Sequence, residues 1–262
     1  MKFQLFFCLF FISLNCESQA VDSIKAKIFY NYYYTKDPVT KVKESESFIL
    51  AIGNSLTKYF SYTKYKRDSI IEETARKGQS FESISHIALA NSSATIIYRD
   101  VLDKTMSVAT ELVGDKYSYP EEFNFSWKVM ADTMLVQGYH CQKAVTDFRG
   151  RQYIAWFTSS IPVSTGPWKF FGLPGLIMSV YDTDKYFVFE CSGINFFTTT
   201  EDIFSMDVKG YTITTRERYY KQEDLYYQDP VEYLRNVKGY NFVITGGPEI
   251  KKRPAPLRLE LN

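Results

Sequence analysis

The clearest pattern along the chain is strict alternation of apolar and polar positions. Ala26, Ile28, Tyr30, Tyr32 and Tyr34 fall on one parity and predict a first strand with one buried face. Met106, Val108 and Leu112 oppose Thr105, Ser107 and Glu111, and Phe123-Asn124-Phe125-Ser126-Trp127-Lys128-Val129 alternates throughout, so both stretches read as strands. Ser47 to Ile52 and Ala94 to Arg99 add two more. Tyr139 to Phe148 and Tyr153 to Thr158 flank Arg149-Gly150-Arg151, a tight hairpin turn. Leu176 to Tyr181 and Tyr186 to Ser192 flank Asp182-Thr183-Asp184-Lys185, a second hairpin. Connections this short predict antiparallel pairing.

Helical spacing is rarer. Phe81, Ile84, Ser85, Ala88 and Leu89 share one helical face after the polar run Lys64 to Glu73. Asp229-Pro230 has the form of an N-cap followed by Pro at the first helical position, which predicts a helix over Val231 to Val237. From Gly246, with Pro248, Pro254 and Pro256, the tail 246–262 is expected to be extended and partly mobile. The chain shows no internal repeat or linker. The expected architecture is mainly β with a few helices, a curved antiparallel sheet or incomplete barrel, in one domain over residues 21–245.

Composition sharpens this picture. The chain of 262 residues holds 21 Tyr and 21 Phe, residues that suit pleated, half-buried surfaces, and tyrosine can cover a sheet while its hydroxyl stays wet. A formal net charge of +1 offers nothing to a polyanion, so no nucleic-acid partner is expected. Lys2, the apolar run Phe3 to Leu14 and the small-x-small Ser18-Gln19-Ala20 together read as a signal peptide over residues 1–20, cleaved after Ala20. The expected destination is the periplasm or the outer membrane's surface. Lipidation at Cys16 is the alternative, against a poor context in Ser13-Leu14-Asn15. No later segment is apolar for long enough to span a bilayer.

Of four cysteines, Cys8 and Cys16 lie in the leader and Cys141 and Cys191 remain, an even count in an oxidising compartment. Cys191 shares a strand parity with Phe187 and Phe189, and Cys141 with Tyr139 and Val145, which makes the pair a candidate disulfide. Closing that loop is worth about 4 kcal/mol in the chain-entropy model, provided the Cα atoms come within about 7 Å. Two separately buried thiols are the alternative.

Catalytic chemistry is not evident. Of the two histidines, His86 falls on the helix read over Phe81 to Leu89, and His140 adjoins Cys141, so their side chains point to opposite faces of a strand, which is poor geometry for a nucleophile and its base. H-E-x-x-H, C-x-x-C and G-x-S-x-G motifs and phosphate-binding glycine loops are missing, so no catalytic residue, metal ligand or cofactor is assigned. The adjacent carboxylates Glu121-Glu122, Glu201-Asp202 and Glu223-Asp224 diverge on any regular element and read as solvated charge. A carboxylate hydrolase would need two acids converging in one cleft with shifted pKa values.

The most distinctive stretch runs from Trp127 to Ile177. It contains Gly138-Tyr139-His140-Cys141-Gln142-Lys143-Ala144, then Phe148-Arg149-Gly150-Arg151-Gln152-Tyr153-Ile154-Ala155-Trp156-Phe157, Ile161-Pro162 and Gly166-Pro167-Trp168-Lys169-Phe170, and it ends in Gly172-Leu173-Pro174-Gly175-Leu176-Ile177. In this order the motifs resemble the GLPGLI family, over about Tyr117 to Tyr186. The resemblance implies an exported envelope protein of a Gram-negative bacterium with no assigned biochemical role, and it carries over no catalytic residue. At fold level it is similar to periplasmic lipoprotein-carrier half-barrels, in which a curved antiparallel sheet wraps helices around an apolar cavity.

Within this stretch Leu173-Pro174-Gly175-Leu176 has Pro and Gly at the positions of a type II turn, where Gly175 supplies positive φ. A β-branched residue at 175 is then expected to cost about 1–3 kcal/mol. Trp156, Trp168, Lys169, Phe170 and Leu173 are candidate binding residues, with both tryptophans as core anchors in the alternative. The expected function is non-enzymatic binding of an apolar ligand, a lipid or hydrophobic peptide. The second reading is docking on an outer-membrane receptor or transporter through Ile161 to Gly175, which requires Trp168 to be exposed.

Overall fold

A computed structural model describes residues 21–37, 41–78, 92–197, 203–205, 208–239 and 257–260. The strands are β1 (Val21–Ser23), β2 (Ala26–Asp37), β3 (Val42–Ile52), β4 (Leu56–Ser61), β5 (Ile96–Asp100), β6 (Thr105–Leu112) and β7 (Asp115–Glu121). They continue as β8 (Lys128–Val136), β9 (Tyr139–Phe148), β10 (Arg151–Thr158), β11 (Leu176–Asp182), β12 (Phe187–Phe196), β13 (Ile203–Ser205) and β14 (Thr212–Ile213). Helices α1 (Tyr62–Arg76), α2 (Arg216–Gln228) and α3 (Pro230–Glu232), the last continuing as a π-turn over Tyr233–Val237, complete the described elements. The protein is mainly β, as its alternation predicts.

Twelve strands form one unclosed sheet in the order β14-β7-β6-β5-β4-β3-β2-β12-β11-β10-β9-β8. It consists of two antiparallel meanders, β2 to β7 and β8 to β12, joined where β12 pairs with β2, and the short β14 added parallel to β7. Chain length alone forces the curvature. β7 and β8 lie ten ladder spacings apart, roughly 48 Å if the sheet were flat. Yet only residues 122–127 connect them, and seven peptide steps reach at most about 25 Å. The sheet must curl until its two ends nearly meet.

This connection is the stretch expected to be a strand. Phe123, Phe125 and Trp127 do alternate, but residues 122–127 pair with no strand. They cross the gap in extended form, and their rings close it: Phe123 and Phe125 pack on Phe148 at 4.8 and 4.6 Å, and Trp127 Nε1 donates to Phe171 O at 2.7 Å. Period two reports extended backbone whether or not a ladder partner exists.

Tight turns set the register. Arg149 and Gly150, at φ 43° and 81°, form the two-residue turn between β9 and β10, and Gln137-Gly138 does the same between β8 and β9. Arg151, read as part of the turn, is instead the first paired residue of β10, opposite Phe148. Inside the curve lies the main core, with Ile28, Tyr30, Leu50, Val108, Tyr153 and Met178 all at 2% exposure or less. A smaller cluster of Ile24, Ala51 and Leu56 lies on the outer face of β3 and β4, where α1 packs.

The helices depart from expectation. The polar run Lys64 to Glu73 is itself helical, within α1, capped by Ser61, whose hydroxyl accepts from Lys64 N at 2.9 Å. The helix expected over Phe81 to Leu89 lies outside the described residues. Asp229 caps α3 as expected, accepting from Glu232 N at 2.9 Å. Helix α2 lies against β7 with Tyr219 buried. Residues 1–20, read as a signal peptide, and most of the tail are outside the described residues too, but Arg258, Leu259 and Glu260 are packed onto the domain, with Glu260 only 2% exposed. Among the described residues no helix is long and apolar enough to cross a membrane.

Candidate functional site

Residues 159–175, between β10 and β11, turn inward and plug the curve of the sheet. Ile161, Thr165, Lys169, Phe170 and Leu173 are all buried, while Ser159, Ser160, Pro162, Ser164, Gly172 and Pro174 stay exposed and Trp168, which the docking reading requires to be exposed, is half-buried. Leu176 N donates to Ile161 O at 3.0 Å and Ile177 N to Thr165 O at 3.0 Å, which fixes both ends of the plug to the start of β11. Phe170 packs edge-on to Tyr153 at 4.9 Å and, with Leu173, belongs to the core; neither lines the inner-face cavity described below.

Gly175 is required here for a reason other than the expected turn. Its φ of 158° is positive, as expected, and a conformation that side chains rarely adopt, but it is far from the roughly 80° of a type II turn, and its N–H reaches Leu173 O at 2.8 Å. The backbone of β10 passes so close that a Cβ on residue 175 would sit 2.1 Å from Thr158 O and 2.6 Å from the Thr158 carbonyl carbon.

Lys169 anchors the plug. Its ammonium is 2% exposed and bonds both Glu121 at the end of β7 and, at 2.5 Å, Glu260. Arg149, from the β9–β10 turn, reaches Glu121 at 2.7 Å and Glu260 at 2.6 Å, and Arg216, at the start of α2, reaches Glu260 at 2.9 Å. Three cations and two carboxylates thus gather five distant segments. Burial pushes the Glu121 carboxyl up, but Arg149 and Lys169 outweigh it and hold it below the usual range. The reading of Glu121 as solvated charge is therefore corrected: its neighbour Glu122 takes the exposed face, and Glu121 turns inward. Glu223 and Asp224 are likewise held, both by Arg258. Glu121 and Glu260 do converge as a hydrolase would require, yet every one of their oxygens is bonded to a cation, and Glu121 is shifted away from the value a general acid needs.

Beside this cluster the inner face borders a half-open cavity of about 260 Å³. Two stacked pairs contribute to its walls, Tyr32 on Phe189 with centroids 4.3 Å apart and Phe48 on Tyr59 at 4.8 Å. Tyr119 and Tyr219, 5.7 Å apart, contribute a third pair, and Leu257, Arg258 and Leu259 border it from the tail. Trp168 lines the cavity, half-buried. Its φ of 52° is unfavourable for a bulky side chain and costs about 1–3 kcal/mol. The turn closed by Phe170 N on Pro167 O at 3.1 Å, with Lys169 pinned beneath, imposes that conformation.

The structure thus brings Trp168 and Lys169 to one cavity, the latter with its ammonium already engaged. Trp156 is not there. It alternates with the core residues Ala155 and Phe157, and its Nε1 donates to Tyr181 Oη at 3.4 Å on the outer face. Sequence reasoning missed Tyr32, Phe48, Tyr59 and Phe189, although their parity on alternating strands places them on the inner face.

The candidate disulfide is corrected as well. Cys141 and Cys191 are both buried with free thiols. β10 and β11 lie between their strands, so three ladder spacings, roughly 14 Å along the sheet, exceed the reach of a disulfide. Burial pushes both thiols up to about 11. His140 is exposed on β9, and His86 lies outside the described residues. Among the described residues no group of three or more His, Cys, Asp or Glu is placed to hold a metal ion.

Residues 149–179 match the profile of a family described as a protein of unknown function (Porph_ging). That segment is the β9–β10 turn, β10, the plug and the first half of β11, so it contains Arg149, Trp168, Lys169 and the Gly172 to Ile177 hexapeptide. Among curated proteins no sequence matches this chain. Two solved structures, of PNGF-II in the P21 and C2 space groups, share its fold at 14% identity, with TM-scores of 0.53 and 0.51. Each alignment covers 76% of this chain but 33% and 32% of those chains, so this chain spans about a third of their length.

A second hollow of about 350 Å³ lies on the outer face, bordered by Ile49, Phe60 and Tyr65. Residues 79–91 of the connection from α1 to β5, both of which border it, lie outside the described residues, and no site is assigned there.

Proposed function

We propose that this protein binds a single apolar group in the inner-face cavity and performs no chemistry on it. The observation that supports this reading is the aromatic lining: a half-open hollow inside the curve of the sheet, walled in part by stacked rings and bordered by a plug held in place by buried ions. Ligand sites are concave, mostly apolar and largely preformed. Size narrows the occupant. A cavity of 150 Å³ accommodates benzene, so about 260 Å³ suits a fused bicyclic ring or a comparable length of one acyl chain, not a whole diacyl lipid. In this reading the chain is exported, with its leader removed after Ala20, and acts in the envelope. Docking on an outer-membrane protein is the less favoured alternative, because the loop's large side chains Ile161, Phe170 and Leu173 are buried and Trp168 is half-buried.

The test is titration of the purified protein with indane, a bicyclic hydrocarbon, followed by tryptophan fluorescence and calorimetry. Saturable one-to-one binding is expected, at least tenfold weaker in Trp168→Gly, which removes a cavity wall and suits the positive φ at that position. No saturable binding by the folded parent protein would remove the reading.

A further inference from the structure

Residues 257–260 are held in the manner of a bound peptide. They belong to no strand or helix, and their anchors come from segments distant in the chain. Arg258 lies over the Tyr220 ring at 4.5 Å, and its guanidinium reaches Glu223 at 2.8 Å and Asp224 at 2.7 Å, all on α2. Two residues on, the buried Glu260 carboxylate enters a socket made by Lys169, Arg149 and Arg216. Between these anchors the main chain is gripped by side chains of β10: Arg151 Nε donates to Arg258 O at 3.0 Å and Tyr153 Oη to Leu259 O at 2.5 Å. Leu259 packs against the main core.

The sockets are built by other elements. With the segment set aside, the first keeps three cations against Glu121 and the exposed Glu217, and the second keeps Glu223 and Asp224 beside the Tyr220 ring. Opposite charges at a fixed spacing define an occupant: an extended peptide with a cation and, two residues on, a carboxylate. We infer that α2, the β9–β10 turn and the plug form a peptide-binding groove, that residues 257–260 are its resident occupant, and that it accepts in trans a partner's extended segment of the same charge order, Arg-x-Glu. This goes beyond the apolar-ligand reading and stands without it. Charge order sets the specificity, because a reversed segment would bring like charges into both sockets. The gripped carbonyls add affinity whatever the sequence. A tethered occupant competes at roughly millimolar effective concentration, so the parent protein should take up a free peptide poorly.

The test uses the full chain carrying both Arg258→Gln and Glu260→Gln, which removes the resident charges while nearly keeping side-chain size. Three fluorescein-labelled peptide amides are titrated into this variant and into the parent, followed by fluorescence anisotropy: Leu-Arg-Leu-Glu, Leu-Arg-Leu-Gln and the reversed Leu-Glu-Leu-Arg. Leu-Arg-Leu-Glu should bind the variant one-to-one, at least tenfold more tightly than it binds the parent and at least tenfold more tightly than either other peptide binds the variant. If the folded variant takes up no Leu-Arg-Leu-Glu, the segment is a fixed part of the fold and the inference falls. It falls too if the parent binds this peptide as tightly as the variant does, or if the Gln or reversed peptide binds the variant equally well. Circular dichroism checks the fold, and Glu260→Gln alone takes the double variant's place if that does not fold. Failure of both to fold would make the segment integral to the domain and overturn the inference as well.

Discussion

Replacing Gly175 distinguishes two physical reasons for a glycine. In a type II turn the residue needs positive φ, and asparagine, which tolerates the left-handed region, would serve almost as well. At Gly175 a positive φ of 158° that side chains rarely adopt is compounded by contact. A Cβ would lie 2.1 Å from Thr158 O, 2.6 Å from the Thr158 carbonyl carbon and 3.0 Å from Ser159 Cα. All three are backbone atoms, so no side chain can rotate away. Relief requires moving the end of β10 from the start of β11, where Thr158 pairs with Leu176 and the plug is fastened. Overpacking costs about 1–3 kcal/mol and occasionally more, and the rigid neighbours put this case at about 3 kcal/mol. In a domain of this size that lowers Tm by about 6–12 °C. Thermal unfolding followed by circular dichroism should show this loss for both Gly175→Ala and Gly175→Asn. Gly138→Asn is the control: φ there is 80°, nothing lies within 4 Å, and the change should stay within about 1 kcal/mol. If Gly175→Asn melts within 2 °C of the parent, the contact argument is wrong.

The ion cluster has one surplus cation, so its members are not equivalent. Glu121→Gln leaves three cations with one carboxylate and should cost about 3–5 kcal/mol, whereas Lys169→Met leaves two of each and should cost less; denaturant unfolding giving the opposite order would overturn the charge count. Acid should weaken the protein below about pH 4.5. The Glu121 carboxyl, held under its usual 4.5, contributes fully above that value and loses its contribution as pH falls through the folded value, and Asp22, raised by burial but held far under 3.8 by Leu56 and Ser55 N–H, follows at lower pH. Glu46 and Asp182, raised chiefly by burial, run the other way and soften the loss. Urea unfolding at pH 7 and pH 3 should show a larger acid loss for the parent than for Glu121→Gln, and equal losses would count against the assignment. Finally, alkylation of mature protein in denaturant without reductant should label both Cys141 and Cys191, while native protein at pH 8 should resist; an unlabelled pair in denaturant would mean a disulfide after all.

Strand parity was legible in the sequence because the inner face of the curve is buried and the outer face is mostly wet. The same signal misled at 122–127, where backbone is extended without a partner. Helices α1 and α2 left little trace, because a helix lying on the surface needs few apolar residues: α1 buries only Thr74 and α2 only Tyr219. The ion cluster was hidden for a different reason. Lys169 lies 48 residues from Glu121 and 91 from Glu260, and no local pattern tells a carboxylate that will be paired from one that stays in water. Trp168 was visible as unusual chemistry in a Pro-Gly-rich loop, but not the inward turn of that loop, which follows from its attachments to β11.

The seam between β2 and β12 has a consequence for how the chain is made. Tyr34 pairs with Phe187 and Ala26 with Phe196, so the strand that comes first must wait for one that follows more than 150 residues later. At 5–20 residues per second, synthesis of that interval takes roughly 8–30 s, a long time beside the microseconds in which a hairpin forms. Throughout that wait β2 has a bare, tyrosine-rich edge, the kind of surface on which nascent chains stick to one another. Slow, non-local closure of this sort favours a chain kept unfolded until all of it has arrived.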